Sequence, residues 1–298
     1  AGRWRRASHR VLVLSACILP FSLGVAQAAH AAGSAALIVD GNTGRDLYAR
    51  DTERPLYPAS LTKMMTLYIV FDLMAQKRIS NATKIQITER CANQPPSNLD
   101  LAPGDTIPVR EAVLALIVKS ANDVACAVGE NLAGTEEKFA QIMTARARQL
   151  GMKATTFRNA SGLPDPAQVT TARDLSILAL HLVRDFPEQY RLFATREFTF
   201  NGRAHHTHNG LLRSFEGVDG IKTGYTEASG YNLVASVRRA DRHIIAVVLG
   251  GKSNAKRDAR MRQLIEQFIP VATTQKTAPT IVETAGRNAA YIDTMWPT

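Results

Sequence analysis

Ser60 and Lys63 stand three positions apart in Ser60-Leu61-Thr62-Lys63, Ser120 and Asn122 flank Ala121, and Lys222-Thr223-Gly224 follows 102 positions after Ser120. A serine becomes a nucleophile only when a base takes its proton, and no histidine stands within these strings. Lys63 lies almost one helical turn beyond Ser60, on the same face, and its amine can serve if it is neutral. Burial and a second cation such as Lys222 would both disfavour the charged form. Ser120 can relay a proton to a leaving amine, and the Asn122 carboxamide can hold a substrate amide through its donor and acceptor together. Taken alone, the same two residues would read as helix caps. Lys222 and Thr223 suit a terminal carboxylate, and Gly224 lets a backbone approach closely. An oxyanion would need two backbone donors, for which the N–H groups of Ser60 and Tyr225 are the candidates. Each string alone would be weak; their joint order and spacing point to serine acyl transfer.

The elements around them can be read from pattern. Ala35 to Val39 is apolar and runs into the turn signal Asp40-Gly41-Asn42-Thr43-Gly44 and then Asp46 to Ala49, a first hairpin. Asn232 to Val237 and His243 to Leu249 flank Arg238 to Arg242 as a second. Leu61 to Met74 is apolar almost all round, which predicts a central buried helix with Pro58 and Ala59 at its start, so Ser60 sits in its first turn. Glu111 to Val118, Glu136 to Leu150, Thr171 to Val183 and Asn254 to Phe268 read as further helices. Lys222 to Gly224 precedes a glycine-containing turn and a strand, which places it at a sheet edge where a peptide could add as a strand.

The chain has 298 residues, 45% of them hydrophobic and 21% charged, enough to bury a core without metal or cofactor support. Its first thirty residues carry an arginine-rich start, the apolar run Val11 to Ala26 and small residues at Ala26-Gln27-Ala28, the parts of a secretory signal cut before Ala29. This run of sixteen residues falls short of the roughly 20 that span a bilayer. Leu14-Ser15-Ala16-Cys17 also resembles a lipoprotein processing box, although the apolar run continues past Cys17. Without Arg3, Arg5, Arg6 and Arg10 the formal charge of +10 falls to +6. That suits anionic surroundings such as a cell envelope, or simple solubility, and nothing points to nucleic acid. Cys91 and Cys126 remain after the cut; they can pair in an oxidising compartment, but the apolar helical context of Cys126 favours a buried free thiol. His205, His206 and His208 alternate along an extended segment without a nearby carboxylate or cysteine, so they read as surface polarity and no metal site is expected.

Pro58-Ala59-Ser60-Leu61-Thr62-Lys63-Met64, Asn209-Gly210-Leu211-Leu212, Val218 to Gly224 and Gly230-Tyr231-Asn232-Leu233-Val234-Ala235-Ser236, with the three motifs, resemble the serine-type D-Ala-D-Ala carboxypeptidases, the low-molecular-weight penicillin-binding proteins of peptidase family S11. The resemblance spans roughly Ala35 to Pro270. It implies an α+β fold, β-lactamase/transpeptidase-like, with a central antiparallel sheet flanked by helices and a helical subdomain. It makes Ser60 the acylated nucleophile, Lys63 the base, Ser120 the proton relay and Lys222 the carboxylate anchor, with Asn122, Thr223 and Gly224 binding substrate. It further implies peptidoglycan stem peptides ending in D-Ala-D-Ala as substrate, β-lactam antibiotics as covalent inhibitors, no cofactor, and a place in the periplasm or cell envelope. The chain then divides into a signal peptide (1–28), a catalytic domain (29–272) and a tail or the start of a further region (273–298). Two departures stand out: Ala121 where the family often has glycine, and a stretch after Pro270 too short for the family's β-rich second domain and membrane-binding helix, which leaves membrane association open. A D,D-endopeptidase acting on cross-links would use the same residues. A β-lactamase would need a water-activating carboxylate, and Glu188 and Glu197, the glutamates available in the region, lack its usual context. A non-catalytic sensor would need neither Ser60 nor a neutral Lys63.

Overall fold

An unbroken apolar run, Ala35 to Val39, buries both faces of the first strand. The computed structural model describes residues 2, 33–277 and 296, so the export signal and most of the tail lie outside the described residues. Strand β1 (Ala35–Asp40) is buried throughout and turns at Asp40 into β2 (Asp46–Arg50), the expected hairpin. The chain then makes a 3-10 turn at Ala59–Thr62 and continues as α1 (Lys63–Ala75), apolar on all sides and therefore buried on all sides. Ser60 thus precedes the α-helix proper by one tight turn.

A helical subdomain follows. β3 (Lys84–Gln86), α2 (Glu89–Ala92) and β4 (Thr106–Pro108) lead into α3 (Val109–Leu114). The helix expected over Glu111 to Val118 starts earlier, directly after Pro108, and its C-terminal part widens into a π turn at Ala115–Lys119. That turn stops at Ser120, whose φ of 60° is the left-handed conformation that ends a helix. α4 (Asn122–Ala133) and α5 (Glu136–Gln149) complete the unit, the latter capped by the Thr135 side chain accepting the Lys138 N–H.

Cys91 on α2 and Cys126 on α4 form a disulfide, which corrects the preference for a buried free thiol. Both thiols are indeed buried in apolar surroundings, but α2 packs against α4 and brings their Cα atoms to 5.3 Å, a separation that composition alone cannot reveal. Replacing both cysteines with alanine is expected to lower the unfolding free energy by about 2–4 kcal/mol. A urea midpoint unchanged from the oxidised parent would show that packing alone holds α2 in place.

The remaining elements are α6 (Ala172–Asp185), α7 (Pro187–Tyr190), the ribbon β5 (Glu197–Phe200) and β6 (Arg203–His206), α8 (Leu211–Ser214), β7 (Val218–Thr226), β8 (Gly230–Arg239), β9 (Arg242–Gly251) and α9 (Asn254–Phe268). The main sheet is antiparallel in the order β2-β1-β9-β8-β7. Because side chains alternate along a strand, Leu37, Val39, Val234, Ile245 and Val247 face α6 and the large core. Ala36, Ile38, Leu233, Ala235 and Ala246 face the other way, onto Met261, Leu264 and Ile265 of α9. β7 is an edge strand, as the sequence predicts, and its open edge faces the helical subdomain. The body extends slightly past 272: Asp40 and Asn42 hydrogen-bond the backbone of Thr273.

Candidate active site

Ala59 adopts φ +48°, an uncommon conformation for a residue with a Cβ, and this sharp bend aims Ser60 into a cleft of about 510 Å³. Asn232 of β8 clamps the bend by donating to the carbonyls of Tyr57 and Pro58 at 3.0 and 3.3 Å. Two glycines admit it. A Cβ on Gly162 would overlap the Ala59 carbonyl oxygen, and one on Gly224 would stand 3.0 Å from Ser60 N. Sequence reading identified Gly224 but not Gly162, whose loop carries only an ordinary turn signal.

Lys63 is fully buried, with its amine at the centre of the site. Nζ donates to Asn122 Oδ1 and to the Ser161 carbonyl, both at 2.7 Å, and lies 3.3 Å from Ser60 Oγ. Burial, followed by the charge of Lys222, holds its pKa well below the ordinary lysine value, while Asp123 and Glu136 pull the other way. Both short bonds end on oxygens that can only accept. The Asn122 orientation is settled by its Nδ2, which donates to the Pro95 carbonyl at 2.8 Å. A neutral amine has two N–H groups and one lone pair, so the two carbonyl oxygens take both N–H groups and the lone pair is left for the Ser60 hydroxyl.

Asn122 also holds Lys63: Oδ1 accepts from its amine and Nδ2 donates to the Pro95 carbonyl, which leaves the carboxamide one N–H and one lone pair where it lines the cleft. Ser120 accepts from Lys222 Nζ at 3.0 Å, and Lys222 also donates to the Thr223 carbonyl at 3.1 Å. Burial, then the charge of Arg257, lowers the Lys222 pKa to about 7. Ser60, Ser120, Asn122, Thr223, Gly224 and Tyr225 all line the cleft, so the structure brings the predicted residues together, with Lys63 and Lys222 bonded to that lining from beneath.

Several residues at the site were not legible beforehand. Arg257, on a helix that reads as simple packing, is buried and lines the cleft. His208 also lines it, with one face open; desolvation and the charges of Lys222, Lys119 and Lys63 hold its pKa down to about 4, so it is neutral. The three clustered histidines therefore diverge: His205 stacks on Phe198, and the β5–β6 register sets Glu197 against His206 at 2.9 Å, a carboxylate that the linear sequence did not place there. Two buried carboxylates brace the walls. Asp123 accepts the N–H groups of Leu99 and Asp100, and Glu136 accepts that of Ala160, next to the Ser161 carbonyl that binds Lys63. Burial raises the pKa of both. Among the described residues, the cysteines that lie near Glu130 are committed to their disulfide and offer no metal thiolate.

A family profile described as D-alanyl-D-alanine carboxypeptidase, peptidase S11, matches residues 22–253. The chain belongs to that family. Its S11 relatives include the D-alanyl-D-alanine carboxypeptidase DacA of Haemophilus influenzae, 35% identical over 86% of this chain and 67% of the relative. DacC of Escherichia coli K12 is 35% identical over 83% of this chain and 64% of the relative. The chain thus spans about two thirds of the length of these relatives. Penicillin-binding protein D2 from Listeria monocytogenes, solved in a cefotaxime-bound form, superposes with a TM-score of 0.72 at 30% identity, over 79% of this chain and 96% of that one. The S11 fold is therefore the α+β, transpeptidase-like architecture that the motifs implied. No helix among the described residues is long and apolar enough to cross a membrane.

Proposed function

We propose that this S11 peptidase is a serine D-Ala-D-Ala carboxypeptidase that removes the terminal D-alanine from peptidoglycan stem pentapeptides. The observation that carries the reading is the Lys63 amine, buried, with two carbonyl oxygens for its N–H groups and Ser60 Oγ at its remaining position. In the forward step Ser60 Oγ attacks the carbonyl carbon of the penultimate D-alanine and Lys63 Nζ takes the hydroxyl proton. The backbone N–H groups of Ser60 and Tyr225 stabilise the oxyanion. As the C–N bond breaks, Ser120, held by Lys222, passes a proton to the leaving amine and is reprotonated with the one that Lys63 took, which leaves Lys63 neutral again. The free D-alanine departs with its carboxylate released from Lys222, Thr223 and Arg257. Water then attacks the ester on Ser60, Lys63 accepts its proton and returns it to Ser60 Oγ as the acyl bond breaks, and the shortened peptide leaves as the acid. A β-lactam opens its ring on Ser60 by the same first step, but the leaving nitrogen stays tethered in the cleft and the acyl-enzyme persists.

Glu188 pairs with Arg191 and Glu197 with His206, and neither lines the cleft; Glu227, which does, is exposed on the turn after β7 rather than buried beside Ser60, and this favours slow deacylation over β-lactamase turnover. The motif at 1–28 and the Cys91–Cys126 disulfide support export to the periplasm or cell envelope. Incubation with fluorescent penicillin and, separately, with a peptide ending in D-Ala-D-Ala should give stable label on Ser60 and free D-alanine. Rapid antibiotic turnover without D-alanine would make the chain a β-lactamase. Label without D-alanine from this peptide, but with cleavage of a cross-linked dimer, would make it an endopeptidase. Label with neither would leave a sensor.

A further inference from the structure

A groove of about 400 Å³ continues from the cleft, sharing Tyr225, Glu227 and Tyr231 with it. It crosses the ends of β7, β8 and β9 and reaches Ser34, just before β1. Four strands side by side cover three strand spacings, about 14 Å. Its floor is built of Gly230, Gly250 and Gly251, so no side chain fills it. The wall toward the cleft is aromatic: Tyr225 and Tyr231, opposite one another on β7 and β8, set their ring centroids 4.2 Å apart. Tyr225 is 54% exposed, one of two large hydrophobic side chains left open to solvent among the described residues. An exposed aromatic pair at the junction of a groove with the catalytic cleft marks a binding surface. The charged residues in the groove lining, Glu227 and Lys252, are both exposed and opposite in sign, so the lining carries no net charge.

Strand direction says which end of a substrate arrives there. β7 runs from Val218 to Thr226, toward the turn that borders the groove. A peptide on its edge, with its carboxylate at Lys222 and Thr223 and its scissile carbonyl at Ser60, runs antiparallel to β7, so its amino end points at that turn. Each residue advances about 3.3 Å, which puts the fifth residue of a stem pentapeptide about 13 Å from the first, just past Thr226. Whatever is joined to the amino end of the stem therefore meets the groove. We propose that the groove binds the glycan of peptidoglycan, with the N-acetylated sugar that carries the stem, and the sugar next to it, seated against Tyr225 and Tyr231. A pyranose ring presents a face of C–H groups that packs on an aromatic ring, while its hydroxyl and acetamido groups stay at the wet edge near the phenol hydroxyls. These sugars bring no charge, because the carboxyl of the one that carries the stem is taken up by the amide bond to the peptide. The enzyme thereby favours stems attached to glycan over free peptides. This assignment rests on the carboxypeptidase reading above.

An N-acetylated pentapeptide ending in D-Ala-D-Ala, and the same pentapeptide carrying its disaccharide, test it through kcat/KM for D-alanine release, with benzylpenicillin labelling of Ser60 as a parallel readout. The wild-type chain should prefer the disaccharide peptide by about 3–10-fold, the size of one aromatic contact. Ser34→Trp, at an exposed position outside the cleft lining, should fill the groove and bring the disaccharide peptide down to the value of the bare one, while the bare peptide and penicillin labelling stay unchanged. Tyr231→Ala should also lower the preference, and Tyr231→Phe, which keeps the ring, should retain it. Equal kcat/KM for the two substrates in the wild type, a preference that survives Ser34→Trp, or an equal loss for both substrates in that variant would overturn the assignment and leave the carboxypeptidase reading intact. So would a sugar-free peptide dimer that gains the same advantage and loses it in Ser34→Trp, since the groove would then hold a second peptide. No D-alanine from either substrate together with no label on Ser60 would overturn both.

Discussion

Ser60→Ala is expected to abolish penicillin labelling and to cut D-alanine release by on the order of 10³-fold or more, with the fold retained. The size of the loss follows from removing the atom that carries the acyl group. The fold should survive because the bend at Ser60 is made by other groups. Asn232 clamps the carbonyls of Tyr57 and Pro58, Leu61 N–H donates to the Pro58 carbonyl at 3.2 Å, and the Ser60 hydroxyl contributes one long contact to Lys63. Stability should therefore change by no more than about 1 kcal/mol. Thermal unfolding, intact-mass labelling and a D-alanine assay on the same preparation check the three parts. Undiminished hydrolysis by the alanine variant would remove Ser60 from the mechanism.

The second large effect concerns Lys63 and its pH dependence. The base acts only when neutral, so kcat/KM should rise with pH as Lys63 loses its proton, well below the ordinary lysine range because burial and Lys222 depress that pKa. The carboxylate anchor acts only when charged, so kcat/KM should fall again as Lys222 loses its proton at about 7. A substrate carboxylate resting on Lys222 favours its charged form, so the descending limb of kcat should lie at higher pH than that of kcat/KM. Lys63→Met keeps an unbranched chain one atom shorter and removes the base; it should lower acylation by about 10²–10⁴-fold and eliminate the ascending limb. It also leaves Asn122 Oδ1 and the Ser161 carbonyl without their partner, at about 1–3 kcal/mol each, which unfolding curves will register separately. A Lys63→Met chain that keeps the ascending limb would show that a different group deprotonates Ser60.

The sequence alone determined the two hairpins, the buried α1, α5 and α9 nearly to the residue, and the three strings that converge on one cleft. It could do so because hydrophobic period, turn residues and motif spacing are local properties, written within one element at a time. It also carried the expectation that Lys63 is buried, since the flanking Leu61, Met64 and Met65 make that turn apolar. Only the tertiary structure decided which oxygens take the Lys63 N–H groups, and with them that Asn122 helps to hold the base. The same holds for the pairing of Cys91 with Cys126, for the arrival of Arg257 and His208 at the cleft, and for the bracing of its walls by Asp123 and Glu136. These are contacts between elements distant in the chain, and periodicity tells which face a residue shares but not what the packing of another element will set against it.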